Sequence, residues 1–247
     1  MCSHQNYVFR IWGSRKVKEF FGIIGGMGTV ATENFVHTVN QLTETHKDQN
    51  YLDYIVFNHA SIPDRTAYIF DHTKPNPLPL LQSDVEKLND IGVSFIVMTC
   101  NTAHYFRSEL QKASKAPILS MPNIAASACQ TSTNKDSKVG IMATDGTISA
   151  EIYQKELIDK GVQPVIPDAH HQQLVMSLIY DDIKNKDFVN REKYHQLITY
   201  FFQTLDCEYI ILGCTELSVA QEKEPYPSEY IIDAQNELAK YVVKHAE

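Results

Sequence analysis

Short apolar runs recur along the chain and alternate with longer polar stretches that have helical spacing. Runs that are apolar throughout are typical of strands covered on both faces of a parallel sheet. The predicted strands are Phe20–Ile24, Tyr54–Phe57, Phe95–Thr99, Ile118–Met121, Val139–Met142, Val162–Ile166 and Tyr209–Leu212. The predicted helices between them include Thr32–Thr45, Leu80–Ile91, Ala103–Ala113, Ala150–Lys160 and Lys193–Leu205. This alternation indicates an α/β fold with right-handed crossovers.

Two parts of this pattern are versions of each other. The segment Phe95–Thr102 matches Tyr209–Glu216, and each has a cysteine just after the strand, Cys100 and Cys214. A second match lies earlier in each half: Gly22–Ile24 and Gly28-Thr29 correspond to Gly140–Met142 and Gly146-Thr147. Such a repeat predicts two similar halves whose matching loops face one cleft. Because ligands bind at the carboxyl ends of the strands in such sheets, we expect both cysteines at that cleft.

The repeat also suggests where the halves begin and end. We expect residues 19–117 together with 226–247 to form the first lobe, and 118–225 to form the second. Residues 1–18 show no clear period and are interpreted as an N-terminal extension. The segment Tyr230–His245 is predicted to be a helix that packs back on the first lobe.

Composition narrows the classes of function. The 247 residues are 43% hydrophobic and 21% charged, which is ordinary for a soluble globular protein. The formal net charge of −8 argues against a nucleic-acid partner, because that binding depends on a basic surface. No run approaches the roughly 20 apolar residues of a membrane span, and no signal-peptide pattern opens the chain. We therefore expect a cytoplasmic protein without a membrane partner.

The chain has five cysteines: Cys2, Cys100, Cys129, Cys207 and Cys214. Their odd number and irregular spacing favour free thiols in a reducing compartment and no structural zinc site. Cys100 and Cys214 each precede a predicted helix, whose dipole would lower the thiol pKa. The alternative is that both are buried structural cysteines, but their matched positions favour function. Cys129 and Cys207 lack this context and are interpreted as packing residues.

Polar residues around the two matched cysteines predict an anion site. Asn101, Thr102 and Thr215 offer side-chain donors beside free backbone N–H groups. Arg65 follows the second strand, where its guanidinium could grip a carboxylate, although an arginine in a first helical turn is more often solvated. Lys184 has the same two interpretations.

A glycine-rich turn, Gly25–Thr29, follows the first strand. Glycines there allow a positive φ and close approach of the backbone to an anion. The pattern Gly26-x-Gly28-x-x-Ala31, with Asp53 downstream, also matches the loose dinucleotide fingerprint. A third interpretation is a tight strand-to-helix turn with no ligand.

Taken together, five motifs resemble the aspartate/glutamate racemase family, and within it the aspartate racemases. They are GGMG at Gly25–Gly28, PDR at Pro63–Arg65, CNTAH at Cys100–His104, LIYDDIK at Leu178–Lys184 and LGCTEL at Leu212–Leu217. The resemblance covers roughly Phe20 to Ala239. Glutamate racemases usually have a histidine after the second Cys-Thr, whereas this chain has Glu216, which favours the aspartate branch.

The resemblance implies two similar Rossmann-like lobes, each a parallel sheet flanked by helices, related by pseudo-twofold symmetry with the site between them. It implies cofactor-independent, metal-free racemisation of a dicarboxylic amino acid, with aspartate expected, by an enzyme that we expect to be a homodimer. Cys100 and Cys214 would be the two bases on opposite faces of the substrate Cα. The implied substrate-binding residues are Met27, Gly28, Thr29, Asn101, Thr102 and Thr215 for the α-carboxylate, with Arg65 and Lys184 for the side-chain carboxylate.

Two positions depart from the family pattern. Thr29 stands where the family commonly has proline, and Ala234 follows Asp233 where it often has a hydroxyl residue. Both bear on substrate preference and rate. Two other functions stay open: a related cysteine-dependent isomerase or racemase acting on another dicarboxylate, and a two-lobed anion- or nucleotide-binding module without catalysis.

Overall fold

Two parallel sheets form the framework of the protein. The computed structural model describes residues 19–130 and 137–246, so the predicted extension 1–18 lies outside the described residues. The first sheet has the order β2-β1-β3, with β1 (Phe21–Gly25), β2 (Tyr54–Asn58) and β3 (Ile96–Met98). The second has the order β5-β4-β6-β7, with β4 (Lys138–Ala143), β5 (Gln163–Val165), β6 (Tyr209–Gly213) and β7 (Ile231–Asp233). All strand pairs are parallel, which confirms the predicted α/β fold.

Helices connect and flank these strands. The α-helices are α1 (Thr29–Leu42), α2 (Arg65–Phe70), α3 (Leu78–Ile91), α4 (Arg107–Ala113), α5 (Met121–Gln130), α6 (Asp145–Ser149), α7 (Ile152–Asp159), α8 (Ala169–Ser177), α9 (Arg191–Thr199), α10 (Thr215–Lys223) and α11 (Ala234–His245). Two segments are 3₁₀-helical, Asp48–Asn50 and Thr102–Phe106, and two are π-helical, Leu178–Lys184 and Tyr200–Thr204. No helix within the described ranges is long and apolar enough to cross a membrane.

The internal repeat is visible in the strand order. In each sheet the first strand of the half, β1 or β4, lies between the next two strands of that half. The matched glycines Gly22 and Gly140 lie at equivalent points of these central strands. A Cβ on Gly22 would lie 2.7 Å from Leu88 Cδ1, and one on Gly140 would lie 2.5 Å from Phe201 Cδ1. Each glycine therefore makes room for a large side chain that covers its sheet.

The C-terminal segment is a short strand followed by a helix. The predicted helix Tyr230–His245 begins with strand β7, which pairs with β6 of the second sheet. Helix α11 follows and packs against both α1 and α5. The predicted strand Ile118–Met121 is reduced to a bridge from Ile118 to Ile96 of the first sheet, and Met121 already begins α5. The predicted lobe boundaries at 118 and 226 stay a prediction.

The core has three parts, because each sheet buries both faces. Alternate residues of the central strands point to opposite sides: Ile23 and Ile141 enter a core shared by the two lobes, while Ile24 and Met142 face away. Helices α1, α5, α7 and α11 contribute to the shared core. This arrangement fixes the lobes with the carboxyl ends of both sheets at one cleft.

Candidate active site

Each of the two matched cysteines lies at the carboxyl end of a strand. Cys100 follows β3 and precedes the 3₁₀ segment, and Cys214 follows β6 and caps α10. Both are buried to the same extent, with 6% of each residue exposed. Both line one small cavity between the lobes.

Eight of the ten predicted site residues line this cavity: Met27, Arg65, Cys100, Asn101, Thr102, Lys184, Cys214 and Thr215. The other two, Gly28 and Thr29, line a wider groove outside it. Five cavity residues were not among the predicted site residues: Asp64, Thr66, Thr144, Tyr180 and Glu216. Three of these lie inside the motifs PDR, LIYDDIK and LGCTEL: Asp64, Tyr180 and Glu216. Their place in a motif is the sequence signal that could have identified them as site residues.

Arg65 is buried and largely committed to the backbone. Its Nη2 donates to Met27 O at 2.7 Å, and its Nη1 donates to Pro63 O at 3.0 Å. Its Nε is buried and has no hydrogen-bond partner among the described residues. The PDR motif places it here because Asp64 caps α2 by accepting from Ala67 N at 2.7 Å. The N–H of Arg65 Nε is therefore left for a ligand.

Lys184 ends the π-helical segment, whose irregular turn directs both Lys184 and Tyr180 to the cavity. Its Nζ lies 3.5 Å from Glu216 Oε1 and 4.5 Å from the centre of the Tyr180 ring. Burial disfavours the ammonium, but the negative charge of Glu216 is the largest of the opposing effects, and together they raise the pKa of Lys184. Burial also raises the pKa of Tyr180 to about 12, so its phenol stays neutral and donates to Asp64 Oδ2 at 3.3 Å.

Asn101 presents a second free donor. Its Oδ1 accepts from the hydroxyl of Tyr153, a fully buried residue of α7 in the second lobe. Its Nδ2 is buried and has no hydrogen-bond partner among the described residues. A buried donor without a partner costs free energy, and such groups in folded proteins call for an explanation. A ligand that carries carboxylate groups would offer acceptors to this donor and to Arg65 Nε.

Three threonine hydroxyls form a closed cluster between the lobes. Thr102 Oγ1 lies 3.1 Å from Thr144 Oγ1 and 2.9 Å from Thr147 Oγ1, and the last two are 3.1 Å apart. Thr147 belongs to the matched Gly-Thr turn of the second half. Gly146 beside it is needed because a Cβ there would lie 2.9 Å from Thr66 Cα. The hydroxyl of Thr102 is therefore mainly an interlobe contact.

His104 fixes the Cys100 turn from behind. Its Nδ1 lies 3.0 Å from Cys100 O, and its Nε2 accepts from Met121 N at 3.1 Å. Burial lowers the pKa of His104 to about 4, so the ring is neutral, with Nδ1 as the donor. His104 is thus part of the support of the site.

Cys214 corrects one prediction. The helix dipole was expected to lower the pKa of both thiols, but burial and the charge of Glu216 raise the pKa of Cys214 well above its usual value. Its Sγ donates to Glu216 Oε2 at 2.9 Å. Burial and an adjacent carboxylate outweigh the end of a nine-residue helix.

The structure does not place Asp53 where it could bind the ribose of a dinucleotide at the glycine turn. Asp53 lies at the amino end of β2, at the edge of the sheet opposite the glycine turn. Gly26 has a φ of +84°, and a Cβ there would lie 2.4 Å from the backbone of His59. The turn is therefore glycine-rich because it packs against the loop after β2.

Within the described residues, the remaining cysteines, Cys129 and Cys207, lie in the cores. Burial raises the pKa of Cys129 to about 12 and that of Cys207 to about 11. Within residues 19–130 and 137–246, no group of three or more His, Cys, Asp or Glu side chains is arranged to hold a metal ion.

The two parallel-sheet lobes, the cavity between their loops and the similarity to known racemases together define the class of the protein, which is that of the amino-acid racemases. The model of the Asp/Glu/Hydantoin racemase family matches residues 24–242, and the chain belongs to this family.

Individual relatives agree with this assignment. The chain is 30% identical over 227 residues to RacX of Bacillus subtilis (strain 168), a broad specificity amino-acid racemase, covering 90% of this chain and 96% of RacX. The solved aspartate racemase of Picrophilus torridus is 29% identical, with a TM-score of 0.77 and coverage of 92% and 94%. An aspartate racemase homologue from Pyrococcus horikoshii OT3 has a TM-score of 0.74 and coverage of 92% and 99%; at 22% identity it supports the fold alone.

Proposed function

We propose that the protein racemises an acidic amino acid, with aspartate as the first candidate, by a two-base mechanism that uses no cofactor. One observation carries the proposal. Cys100 and Cys214 line the same small cavity as Asn101 Nδ2 and Arg65 Nε, two buried N–H donors without partners among the described residues. Two thiols and two unsatisfied donors suit a substrate that presents a carboxylate and an acidic Cα–H.

In the reaction one sulfur is a thiolate and removes the α-proton, forming S–H and leaving the electron pair on Cα and its carboxylate. The other sulfur donates its proton to the opposite face of Cα and becomes the thiolate. The net change is inversion of Cα, with one proton transferred to the enzyme and one received from it.

The α-proton is a far weaker acid than a thiol, so the carbanion must be stabilised. We assign this to donors aimed at the α-carboxylate: Asn101 Nδ2, with Thr215 and Met27 in support. Gly28 and Thr29, which line the neighbouring groove, stay predicted members of this group. Preorganised donors in a water-poor cavity are stronger than in water, because the local dielectric constant is low. Thr102 supports this group indirectly, through its interlobe hydroxyl cluster.

Arg65 and Lys184 are proposed to bind the side-chain carboxylate. Charge-assisted hydrogen bonds contribute roughly 1.5–3 kcal/mol each, which would favour dicarboxylates over neutral amino acids. Aspartate and glutamate differ by one methylene, which a pocket separates by only about 1–3 kcal/mol.

A second candidate is racemisation with broader specificity. It is favoured by the ion pair between Lys184 and Glu216, and by the commitment of Arg65 to backbone carbonyls, because both reduce the positive charge left for a second carboxylate. The name of the relative RacX agrees with it. Equal kcat/KM values for L-alanine and L-aspartate would select this candidate.

The direct test is incubation with L-aspartate in D₂O without added cofactor, followed by polarimetry and by NMR of the α-proton. Loss of rotation together with deuterium at Cα is the expected result. Unchanged rotation and no exchange would remove aspartate as the substrate.

Cysteine variants test the two-base mechanism. Cys100→Ser and Cys214→Ser should each lower racemisation by roughly 100- to 10,000-fold, the usual contribution of a positioned acid or base. Each variant can still exchange the α-proton from the face of its remaining cysteine. Cys129→Ser is the matched control, because Cys129 is equally a free, buried cysteine but lies in the shared core. Full-rate racemisation by Cys100→Ser would disprove the mechanism.

We also propose, from the sequence, that the enzyme is a homodimer and is located in the cytoplasm. Size-exclusion chromatography with light scattering tests the first.

A further inference from the structure

The repeat is broken two residues after each cysteine. Thr102 and Glu216 occupy equivalent positions in the two matched segments. The hydroxyl of Thr102 is directed to the threonine cluster, whereas the carboxylate of Glu216 is directed to Cys214. The two cysteines are therefore equivalent in the fold but not in their electrostatic surroundings.

Glu216 is a buried carboxylate whose side chain is 7% exposed. Its Oε2 accepts from Cys214 Sγ at 2.9 Å and from Thr215 Oγ1 at 3.4 Å. Its Oε1 lies 3.5 Å from Lys184 Nζ and 3.3 Å from where a Cβ on Gly28 would lie. These contacts hold the carboxylate against the sulfur, and Gly28 leaves space for it.

The charged residue that interacts with Cys100 is a cation, in contrast to the carboxylate beside Cys214. The guanidinium of Arg65 interacts electrostatically with Cys100 and is anchored by its bonds to Met27 O and Pro63 O. A carboxylate beside Cys214 favours a protonated sulfur there, whereas the charged group that interacts with Cys100 is a cation.

We infer that Glu216 is a positioning residue that keeps the proton on Cys214, so that in the resting enzyme Cys214 is the proton donor and Cys100 is the base. This inference rests on the proposed two-base racemisation.

The other groups near Cys214 do not cancel this effect. The charged and titratable groups facing it are Lys184 and Tyr180 from the π-helical segment, Tyr153 from α7, Asp64 and Arg65 at the start of α2, and Cys100. Lys184 favours the thiolate, but burial and the charge of Glu216 outweigh it and leave the pKa of Cys214 raised. Lys184 is itself paired with Glu216, which reduces its influence on the sulfur.

The asymmetry has a consequence for the catalytic cycle. Resting enzyme accepts the enantiomer whose α-proton faces Cys100, forms Cys100 S–H, and delivers the proton of Cys214 to the other face. The product leaves an enzyme with a Cys214 thiolate beside the Glu216 carboxylate. Because this form is disfavoured, the proton returns to Cys214 and leaves Cys100, through exchange with solvent.

Peptide-resolved alkylation by iodoacetamide as a function of pH, without substrate, tests the inference. Both cysteines are 6% exposed, so their difference in rate reports protonation more than access. In the wild-type protein Cys100 should react at lower pH than Cys214. In Glu216→Gln, Cys214 should react at least about tenfold faster at a given pH, which corresponds to a change of one pKa unit.

Glu216→Asp keeps the carboxylate and should restore the high-pH profile of Cys214. Glu222→Gln, on the same helix but exposed, is the matched control and should leave the profile unchanged. A wild-type Cys214 that reacts before Cys100, or a profile unmoved in Glu216→Gln, would overturn the inference. Because alkylation needs no turnover, its result is independent of whether aspartate is racemised in D₂O, which tests the proposed function.

Discussion

The hydroxyl of Tyr153 links the second lobe to the donor that we assign to the α-carboxylate, and its removal makes a sharp test. Tyr153→Phe keeps the buried ring, which fills the space left by Gly213, where a Cβ would lie 2.9 Å from Tyr153 Cε2. It removes the single hydroxyl that bonds Asn101 Oδ1. Packing is preserved, so the change isolates one hydrogen bond.

The structure sets the magnitude. Asn101 Oδ1 has Tyr153 as its one donor among the described residues, so the variant leaves a buried acceptor unsatisfied, at a cost of about 1–3 kcal/mol in the free energy of unfolding. The freed amide can rotate and lose its orientation toward the substrate. If one charge-assisted bond of roughly 1.5–3 kcal/mol is lost in the transition state, kcat/KM falls by about 10- to 150-fold.

Chemical denaturation measures the first quantity, and the initial rate of racemisation by chiral chromatography measures the second. Tyr194→Phe is the matched control, because Tyr194 is also fully buried and donates to Gln221 Oε1 at 2.6 Å. It differs from Tyr153 in that it packs in the separate core that contains Met142, and not in the core shared by the two lobes. Gln221 keeps Tyr226 N as a donor, so the control should lose only about 0.5–1.5 kcal/mol and no specific activity. A Tyr153→Phe enzyme with wild-type kcat/KM would refute the role of Asn101 as an oriented donor.

Two further predictions concern stability. His104 has a pKa of about 4 when folded against an ordinary value of 6.5, so its neutral form contributes stability above pH 6.5 that is lost as the pH falls toward 4. The loss is up to about 3 kcal/mol; His104→Gln, which cannot titrate, should show less pH dependence in denaturant titrations, and parallel curves would contradict this. Gly140→Ala should destabilise by about 1–3 kcal/mol, because its Cβ would lie 2.5 Å from the buried Phe201 ring; an unchanged Tm would contradict the packing argument.

Much of the fold could be predicted because its signals are local. Continuous apolar runs indicate buried parallel strands, and six of the seven predicted ones overlap strands of the structure. The failure at Ile118–Met121 has a physical cause: a run of four apolar or small residues suits a strand and the start of a helix equally well, and here Met121 begins α5. The short strand β7 lies inside the predicted helix Tyr230–His245 for a different reason: Ile231–Asp233 is a strand because it pairs with β6, which is not a local signal.

The site was predictable where residues stand in matched positions or motifs, as Cys100 and Cys214 do. It was not predictable where a role depends on contacts between lobes. Nothing near Tyr153 in the sequence points to Asn101, 52 residues away, and the hydroxyl cluster joins Thr102 to a turn of the other half. The thiol pKa was misjudged for Cys214 because the helix dipole is a local feature, whereas burial by two lobes and the orientation of the Glu216 side chain are not.

The asymmetry between the two cysteines has a limit that follows from the reaction itself. Two enantiomers have equal free energy in an achiral solvent, so kcat/KM for the two directions must be equal whatever Glu216 does. The effect of Glu216 must instead change kcat and KM together. The enantiomer that needs the Cys214 thiolate binds an enzyme form that is only a small fraction of the total. Its apparent affinity is reduced by that fraction, so its KM is raised. Glu216→Gln should therefore bring the KM values of the two enantiomers closer together while the two kcat/KM values stay equal. If Glu216 only supported the structure around Cys214, Glu216→Gln would leave the ratio of the two KM values unchanged. This ratio therefore separates a merely structural role of Glu216 from control of the proton.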